Sequence, residues 1–131
     1  RILSGQGLLN LYQAHAGIQN VSAPLDTPEQ ITAAALEQND PLARQTLQHF
    51  CELLGRTAGD AVLTLGSSGG VYLCGGILPK VMDFFLASPF QQGFEGKGRM
   101  RSLLEFTPVY LVTEPYTGLL GAAEALGNPE V

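Results

Sequence analysis

The chain has 131 residues, 45% of them hydrophobic and 15% charged, with a formal net charge of −5. These values suit one packed domain, or one lobe of a larger protein, and argue against a disordered chain. Because the charge is negative and no basic stripe is present, a surface for nucleic acid or for anionic membranes is not expected. The 2 cysteines are too few for a disulfide scaffold, and no Cys/His cluster suggests a metal site.

The hydropathy and the start of the sequence bear on where the protein works. No secretory signal and no apolar run of roughly 18 residues is present, so we expect a soluble cytoplasmic protein. The chain opens on Arg1-Ile2-Leu3 without a methionine, which predicts a segment cut from a longer protein.

The first two predicted helices begin at polar caps. Ser4 can cap a helix that runs to His15, and residues 17–25 are predicted to form a loop. Thr27-Pro28-Glu29-Gln30 combines a threonine cap, a proline at the first helical position and a glutamine at the third, which is typical of a helix start. This second helix is expected to end near Gln38.

The third predicted helix is the longest. It starts at Asp40-Pro41 by the same logic and ends at Gly66, and its apolar residues recur at helical spacing over roughly seven turns. Gly55 and Gly59 lie within it, and each costs about 1 kcal/mol relative to alanine in a helix interior. We therefore expect another backbone to approach this helix closely at the two glycines.

Two short apolar runs in the second half of the chain are predicted to be buried strands, at 71–74 and 108–112. Between them we expect a helix at 78–87 and another that opens at Ser88-Pro89-Phe90-Gln91 with a second capping box. Residues 93–101 are interrupted by glycine and rich in charge, so they are predicted to form a mobile loop whose basic side chains are solvated.

The last predicted helix runs from Gly118 to Leu126, with Thr117 as its cap. Gly118, Gly121 and Ala122 form a side of small residues, which favours close packing against another helix.

The cysteines and histidines are assigned structural roles. Cys51 lies on the long amphipathic helix and Cys74 in an apolar strand, so both are predicted to act as small core residues. His15 lies on the apolar face of its helix and His49 lies beside Phe50. Neither belongs to a constellation of cysteines or carboxylates, so both are predicted to be structural histidines and not ligands.

The turn Gly75-Gly76, between the first strand and the helix that contains Pro79, is the best candidate for a binding site. Glycines at the carboxyl end of a strand let a ligand approach the backbone closely, and open α/β sheets bind their ligands at that edge. The alternative is a strand-to-helix turn that holds no ligand, and the local pattern alone leaves both open.

An ordered set of segments resembles the bacterial glucokinases, within the actin/hexokinase-like group of sugar kinases. These segments are RILSGQGL (1–8), FCELLGR (50–56), GGVYLCGGILP (69–79) and GLLGAA (118–123), with shorter matches at 84–85, 94–99 and 108–112.

The resemblance implies an α/β fold: the C-terminal part of a ribonuclease H-like lobe of the actin/hexokinase type, helix-rich with few strands and incomplete without upstream sequence. It implies a helical segment over residues 1–68. Residues 69–131 would hold the adenosine turn, both strands and the C-terminal connecting helix of the large lobe. Because two strands are too few for an independent sheet, the missing strands are expected upstream or in another chain.

The resemblance also implies an activity for the full-length protein: phosphate transfer from ATP, with Mg²⁺, to the 6-hydroxyl of glucose, by a homodimer. Gly75 and Gly76 would contact the adenosine, and Ile77 would pack near the adenine. The family's phosphate loop (D-x-G-G-T) and its E-x-x-H sugar ligands are absent from these 131 residues. The only Asn-Asp dipeptide, Asn39-Asp40, is assigned to the start of the third helix, so the resemblance places the family's Asn-Asp pair with the catalytic aspartate upstream. We therefore assign no catalytic residue to the chain and expect it to be inactive alone.

Two other functions are compatible with parts of the sequence. One is a non-catalytic, sugar-responsive regulator or scaffold that keeps the lobe but not the chemistry, and the upstream phosphate loop and Asn-Asp pair would decide between them. The other is a dinucleotide-binding oxidoreductase domain, which is disfavoured because no G-x-G-x-x-G follows a strand and no βαβ repeat is present.

Overall fold

The computed structural model describes residues 1–129, in which seven α-helices and two short strands form a helix-rich α/β unit. In chain order these elements are α1 (Gly5–Gln19), α2 (Pro28–Glu37), α3 (Pro41–Leu65), β1 (Val71–Leu73), α4 (Met82–Leu86), α5 (Phe90–Glu95), α6 (Arg101–Glu105), β2 (Val109–Leu111) and α7 (Thr117–Gly127). The last two residues of the predicted 69–131 segment lie outside the described residues.

Side-chain caps define the starts of the first three helices, as predicted. The Ser4 hydroxyl accepts a hydrogen bond from the Gly7 N–H at 3.0 Å, and Asp40 Oδ1 accepts one from the third residue of α3 at 2.7 Å. Thr27 and Gln30 form a reciprocal capping box at the start of α2. Each cap satisfies a backbone donor that the helix cannot pair internally.

The end of α1 differs from the prediction. The helix continues through Gly17 to Gln19 and ends at Asn20, which has a φ of 53° and donates its N–H to the carbonyl oxygens of Ala16 and Gly17. Asparagine tolerates this left-handed conformation better than most residues. The loop predicted for residues 17–25 is therefore wrong over its first part, since the helix passes through Gly17 without ending.

The hydrophobic core lies where α1 and α2 pack on α3, and it continues along α3 to α5. Its fully buried members include Leu8, Ile31, Leu47, Cys51, Phe94 and Leu104.

The crossing of α3 and α5 depends on glycine. A methyl group added at Gly55 would overlap the carbonyl oxygen of Phe90, and one added at Gly59 would lie 2.5 Å from the carbonyl oxygen of Phe94. Gly93 on α5 is covered by the α3 backbone in the same way. The close backbone approach predicted at Gly55 and Gly59 is confirmed.

The loop predicted over residues 93–101 is wrong. α5 runs through Gly93, a 3₁₀ turn forms at Gly98–Met100, and α6 begins directly afterwards. The Lys97 side chain is only 12% exposed, and its Nζ lies 2.6 Å from Asp60 Oδ1 and 2.9 Å from the carbonyl oxygen of Arg56. Charge and glycine content suggested a solvated loop, whereas the lysine spans the α3–α5 crossing and fixes the segment on α3.

Two further helix predictions need correction. The predicted helix at 78–87 is a 3₁₀ turn over Leu78–Val81 followed by α4. The capping box predicted at Ser88 is absent, because the Ser88 hydroxyl donates to the Phe85 carbonyl oxygen and accepts weakly from the Phe90 N–H at 3.3 Å. It links α4 to α5.

β1 and β2 form a parallel two-stranded sheet, with Val71 opposite Val109. The strands are half-buried, not buried as predicted: Leu73 points into the core, whereas Tyr72 and Tyr110 stack on the outer face with ring centroids 5.0 Å apart. Among the described residues, only one face of the sheet is covered.

Helix α7 forms as predicted, but residues 1–129 show neither the predicted Thr117 cap nor the predicted close packing. The Thr117 hydroxyl donates to the Glu114 carbonyl oxygen at 2.7 Å and caps nothing. No residue of α7 is buried, and within residues 1–129 nothing approaches within 4 Å of a methyl group placed at Gly118 or Gly121. The close packing predicted for this helix is thus absent from the described structure. No helix in residues 1–129 is both long enough and apolar enough to span a membrane.

Candidate functional site

The predicted site residues lie together at the carboxyl end of β1. Gly75 has a φ of +135°, a backbone conformation that residues with a side chain rarely adopt, whereas Gly76 has no such restriction. The strands are parallel, so this turn and the segment after β2 meet at the same edge of the sheet. A hydrogen bond of 2.9 Å from the Val112 N–H to the Leu73 carbonyl oxygen connects the two strand ends.

The largest space beside the turn is a cleft of about 480 Å³ that is lined mainly by apolar groups, and we call it the apolar cleft. Leu3, Ser4 and Gly5 form one wall, at the start of α1, and Phe50 and Leu54 of α3 form another. The third wall is the segment Tyr72–Leu78, which includes Gly75, Gly76 and Ile77. Apolar walls with exposed backbone suit a flat, mostly apolar ring that also forms a few hydrogen bonds.

Two smaller clefts adjoin the same turn. One, of about 390 Å³, lies between the turn and residues 113–118, and its lining includes Lys80 and Glu114; we call it the strand-end cleft. The other, of about 170 Å³, lies between the turn and the start of α2. Gly76 lines all three clefts, so it occupies the junction of the open space on this side of the molecule.

The two glycines are open toward solvent. A methyl group placed on Gly75 or Gly76 would meet no atom within 4 Å. Packing inside residues 1–129 therefore does not explain why residue 76 is a glycine, whereas the backbone conformation does explain residue 75. The turn leaves bare backbone accessible at the floor of the clefts, as a site for a closely approaching ligand requires.

Among the described residues, no charged side chain lines the apolar cleft, whereas Lys80 and Glu114 line the strand-end cleft. Phosphoryl transfer needs a carboxylate near the acceptor hydroxyl and positive charge around the phosphates. Two acidic side chains are engaged elsewhere: Asp40 caps α3 and Asp60 pairs with Lys97. Glu114 Oε1 accepts from the Tyr116 N–H at 3.0 Å. In the described part of the chain, no group of three or more potential metal ligands is clustered.

The two cysteines have opposite environments. Cys51 is buried as predicted, and burial raises the pKa of its thiol to about 11, with the Ser88 side chain acting as a smaller influence in the opposite direction. Cys74 is exposed, because β1 ends at Leu73, and it lines both the apolar and the strand-end clefts. The prediction that Cys74 is a core residue is wrong.

Sequence reasoning found the turn but missed the opposite walls of the cleft. Phe50 and Leu54 belong to the apolar stripe predicted for the long helix and to the resembling segment 50–56, and neither was predicted to line a cleft, although their spacing of four places both on one helix face. Ser4 was identified as a cap, and it also borders the cleft. The start of α1 comes near the turn only through tertiary packing, which no local pattern reveals.

Comparisons with known proteins agree on one family. The family model described as Glucokinase matches residues 1–129. The chain is 74% identical over its whole length to a glucokinase of Marinobacter nauticus and 56% identical to one of Hahella chejuensis. It spans 41% of the length of each of these relatives.

A solved structure extends the likeness to the fold. The crystal structure of a glucokinase from an Antarctic psychrotroph matches 97% of this chain with a TM-score of 0.86 at 37% identity, and the match covers 39% of that protein. The predicted fold class, a helix-rich part of a sugar-kinase lobe with few strands, is confirmed. The resemblance inferred from the ordered segments is confirmed as well: the chain belongs to the glucokinase family.

Proposed function

We propose that the full-length protein is an ATP-dependent glucose kinase and that these residues form the C-terminal part of its large lobe. The observation that carries the proposal is the match of the glucokinase family model to residues 1–129, together with the relatives' greater length. We also propose that this part has two segments: a helical one, 1–68, and one that carries the turn and the last helix, 69–131.

We further propose that the turn contacts the adenosine of ATP. The geometry supports this assignment, because Gly75 and Gly76 present bare backbone and Ile77 adds an apolar surface at the mouth of the apolar cleft. Phe50 and Leu54 would enclose the ring from the other side and exclude water. The residues of this chain therefore bind and orient the nucleotide.

The chemistry itself is assigned to the rest of the protein. Mg²⁺ would accompany the phosphates of ATP and neutralise their charge during transfer. The general base and the sugar ligands are expected upstream, where the resemblance places the family's motifs for them. We also propose that the enzyme acts in the cytoplasm and that it is a homodimer. Sedimentation of the full-length protein tests the homodimer.

Glucose-dependent formation of ADP tests the activity. The full-length protein and the 131-residue chain are assayed side by side with Mg²⁺ and several hexoses. We expect activity from the full-length protein with glucose and none from the chain alone. Absence of activity with every hexose would contradict the proposal and would favour a non-catalytic, sugar-responsive regulator.

A further inference from the structure

Two histidines on different helices are bonded to each other at the α1–α3 contact. His15 Nε2 lies 3.0 Å from His49 Nδ1, and the rings are arranged edge to face with centroids 5.2 Å apart. Both side chains are half-buried. One turn further along the same contact, Gln19 Nε2 donates to Gln45 Oε1 at 2.6 Å. The two pairs form a polar seam between the helices, which we call the α1–α3 seam.

The contact between the imidazoles depends on how many protons they carry. A hydrogen bond between two ring nitrogens needs one donor and one acceptor, which the neutral pair and the singly protonated pair can both supply. When both rings are protonated, all four ring nitrogens are donors, so the bond is lost and two positive charges face each other at short range. The loss of this hydrogen bond on double protonation follows from the geometry of the pair alone.

Among the described residues, no carboxylate lies within ion-pair distance of either imidazole. α1 contains no Asp, Glu, Lys or Arg between Gly5 and Gln19. The other titratable or charged groups on the three packed helices and the α3 cap are Tyr12, Glu29, Glu37, Asp40, Arg44, Cys51, Glu52, Arg56 and Asp60. None of the ion pairs among residues 1–129 involves either imidazole, because Glu52 pairs with Arg56 and Asp60 with Lys97.

The lack of a carboxylate also argues against a metal at this pair. Within residues 1–129 no third histidine, cysteine or carboxylate completes a set of ligands. A proton, and not a metal ion, is therefore the ligand expected to bind at this seam.

We propose that the His15–His49 pair is a proton-sensitive lock that joins α1 to α3 and loosens when both rings become charged. The lock bears on the apolar cleft, because the start of α1 and Phe50, the neighbour of His49, form two of its walls. His15 lies about 16 Å along α1 from Ser4 at that wall. Acidification is thus expected to weaken the packing that holds the two walls together.

The direction of the pH effect follows from proton linkage. Burial first, and the neighbouring His49 second, lower the pKa of His15 below its ordinary value near 6.5. The unfolded chain then binds a proton more readily than the folded one, so protonation favours unfolding. The stability that depends on uncharged His15 is fully present above pH about 6.5, the pKa of the unfolded chain, and is lost as the pH falls from there through the lower pKa of the folded protein.

Melting temperatures measured against pH test the lock in the full-length protein. The variant His15→Gln/His49→Gln copies the neighbouring Gln19–Gln45 pair, so it keeps a polar contact and removes the titration. We expect the wild type to lose at least about 2 °C more than this variant between pH 7.5 and pH 5.0. The control Gln45→Ala removes a seam hydrogen bond without a titratable group, so its curve should lie below that of the wild type and run parallel to it.

Histidine ring signals in NMR spectra of the wild type give a second readout that needs no variant to fold. A midpoint below about 6.5 for His15 supports the lock. Parallel melting curves for the wild type and the double glutamine variant, or a His15 midpoint at or above 6.5, would overturn it. Neither readout depends on kinase activity, so a failed lock and a failed kinase assignment remain distinguishable.

Discussion

The helical block formed by α1, α2, α3 and α5 contrasts with the region that contains the glycine turn, the sheet and α7. In the block, Gly55, Gly59 and Gly93 are covered by the backbone of the helix packed against them, and polar caps satisfy the helix starts. In the second region, the glycines at 75, 76, 118 and 121 meet nothing, and Leu119 is 70% exposed. Glycine therefore permits close helix packing at Gly55 and Gly59, whereas at Gly75 and Gly76 it leaves the backbone accessible.

The largest expected effect comes from filling a glycine inside the block. Gly55→Ala should destabilise the protein by about 3 kcal/mol, because the new methyl group overlaps the Phe90 carbonyl oxygen and the two helices must separate. Chemical denaturation of the full-length protein measures the free energy of unfolding.

A matched control is Gly17→Ala, at a helical position where the added methyl group meets nothing. We expect it to be neutral or stabilising by about 0.5 kcal/mol. Equal losses for the two variants would contradict the distinction between packed and open glycines.

Smaller losses of stability are expected when alanine replaces Thr27 or Thr117, the two threonines that were predicted to be helix caps. Thr27→Ala should cost about 1 kcal/mol, because it removes the acceptor for the Gln30 N–H at the start of α2. Thr117→Ala should cost less than about 0.5 kcal/mol, since this hydroxyl only donates to the exposed Glu114 carbonyl oxygen. A comparable cost at both positions would show that α7 depends on Thr117 in a way this structure does not explain.

The smallest structural perturbation is a chemical label on a thiol. At pH 8, iodoacetamide should modify Cys74 readily, whereas Cys51 is buried and, with a pKa of about 11, has roughly one molecule in a thousand as thiolate. Mass spectrometry after limited labelling identifies the site. Because Cys74 lines the clefts at the turn, ATP should slow its labelling in the full-length protein. Faster modification of Cys51 than of Cys74 would contradict the assigned burial.

The sequence predicted those features that are encoded locally. The caps at Ser4, Thr27 and Asp40 and the glycine stop at Gly66 follow from side-chain chemistry next to the backbone groups they serve. The glycine spacing in α3 predicted the close approach as well, because a helix tolerates two interior glycines only when packing compensates for them.

Features that depend on distant residues were not predictable in this way. Lys97 appeared to belong to a solvated loop, and only the position of Asp60, 37 residues away, shows that the segment is fixed on α3. The walls of the apolar cleft at Leu3 and Phe50 come together through helix packing, and the His15–His49 bond links residues 34 apart. Local patterns therefore identified the turn of the candidate site but not its enclosure.

We propose that Gly76 lacks a side chain because the nucleotide lies against it. The dependence of glucose phosphorylation on ATP concentration tests this proposal. Gly76→Ala in the full-length protein is compared with Gly69→Ala, since both positions have room for a methyl group and neither has a positive φ. We expect Gly76→Ala to raise the KM for ATP about tenfold, equivalent to about 1.4 kcal/mol, with an unchanged melting temperature, and Gly69→Ala to leave both unchanged. An unchanged KM for ATP in Gly76→Ala would contradict the assignment of this turn to the nucleotide.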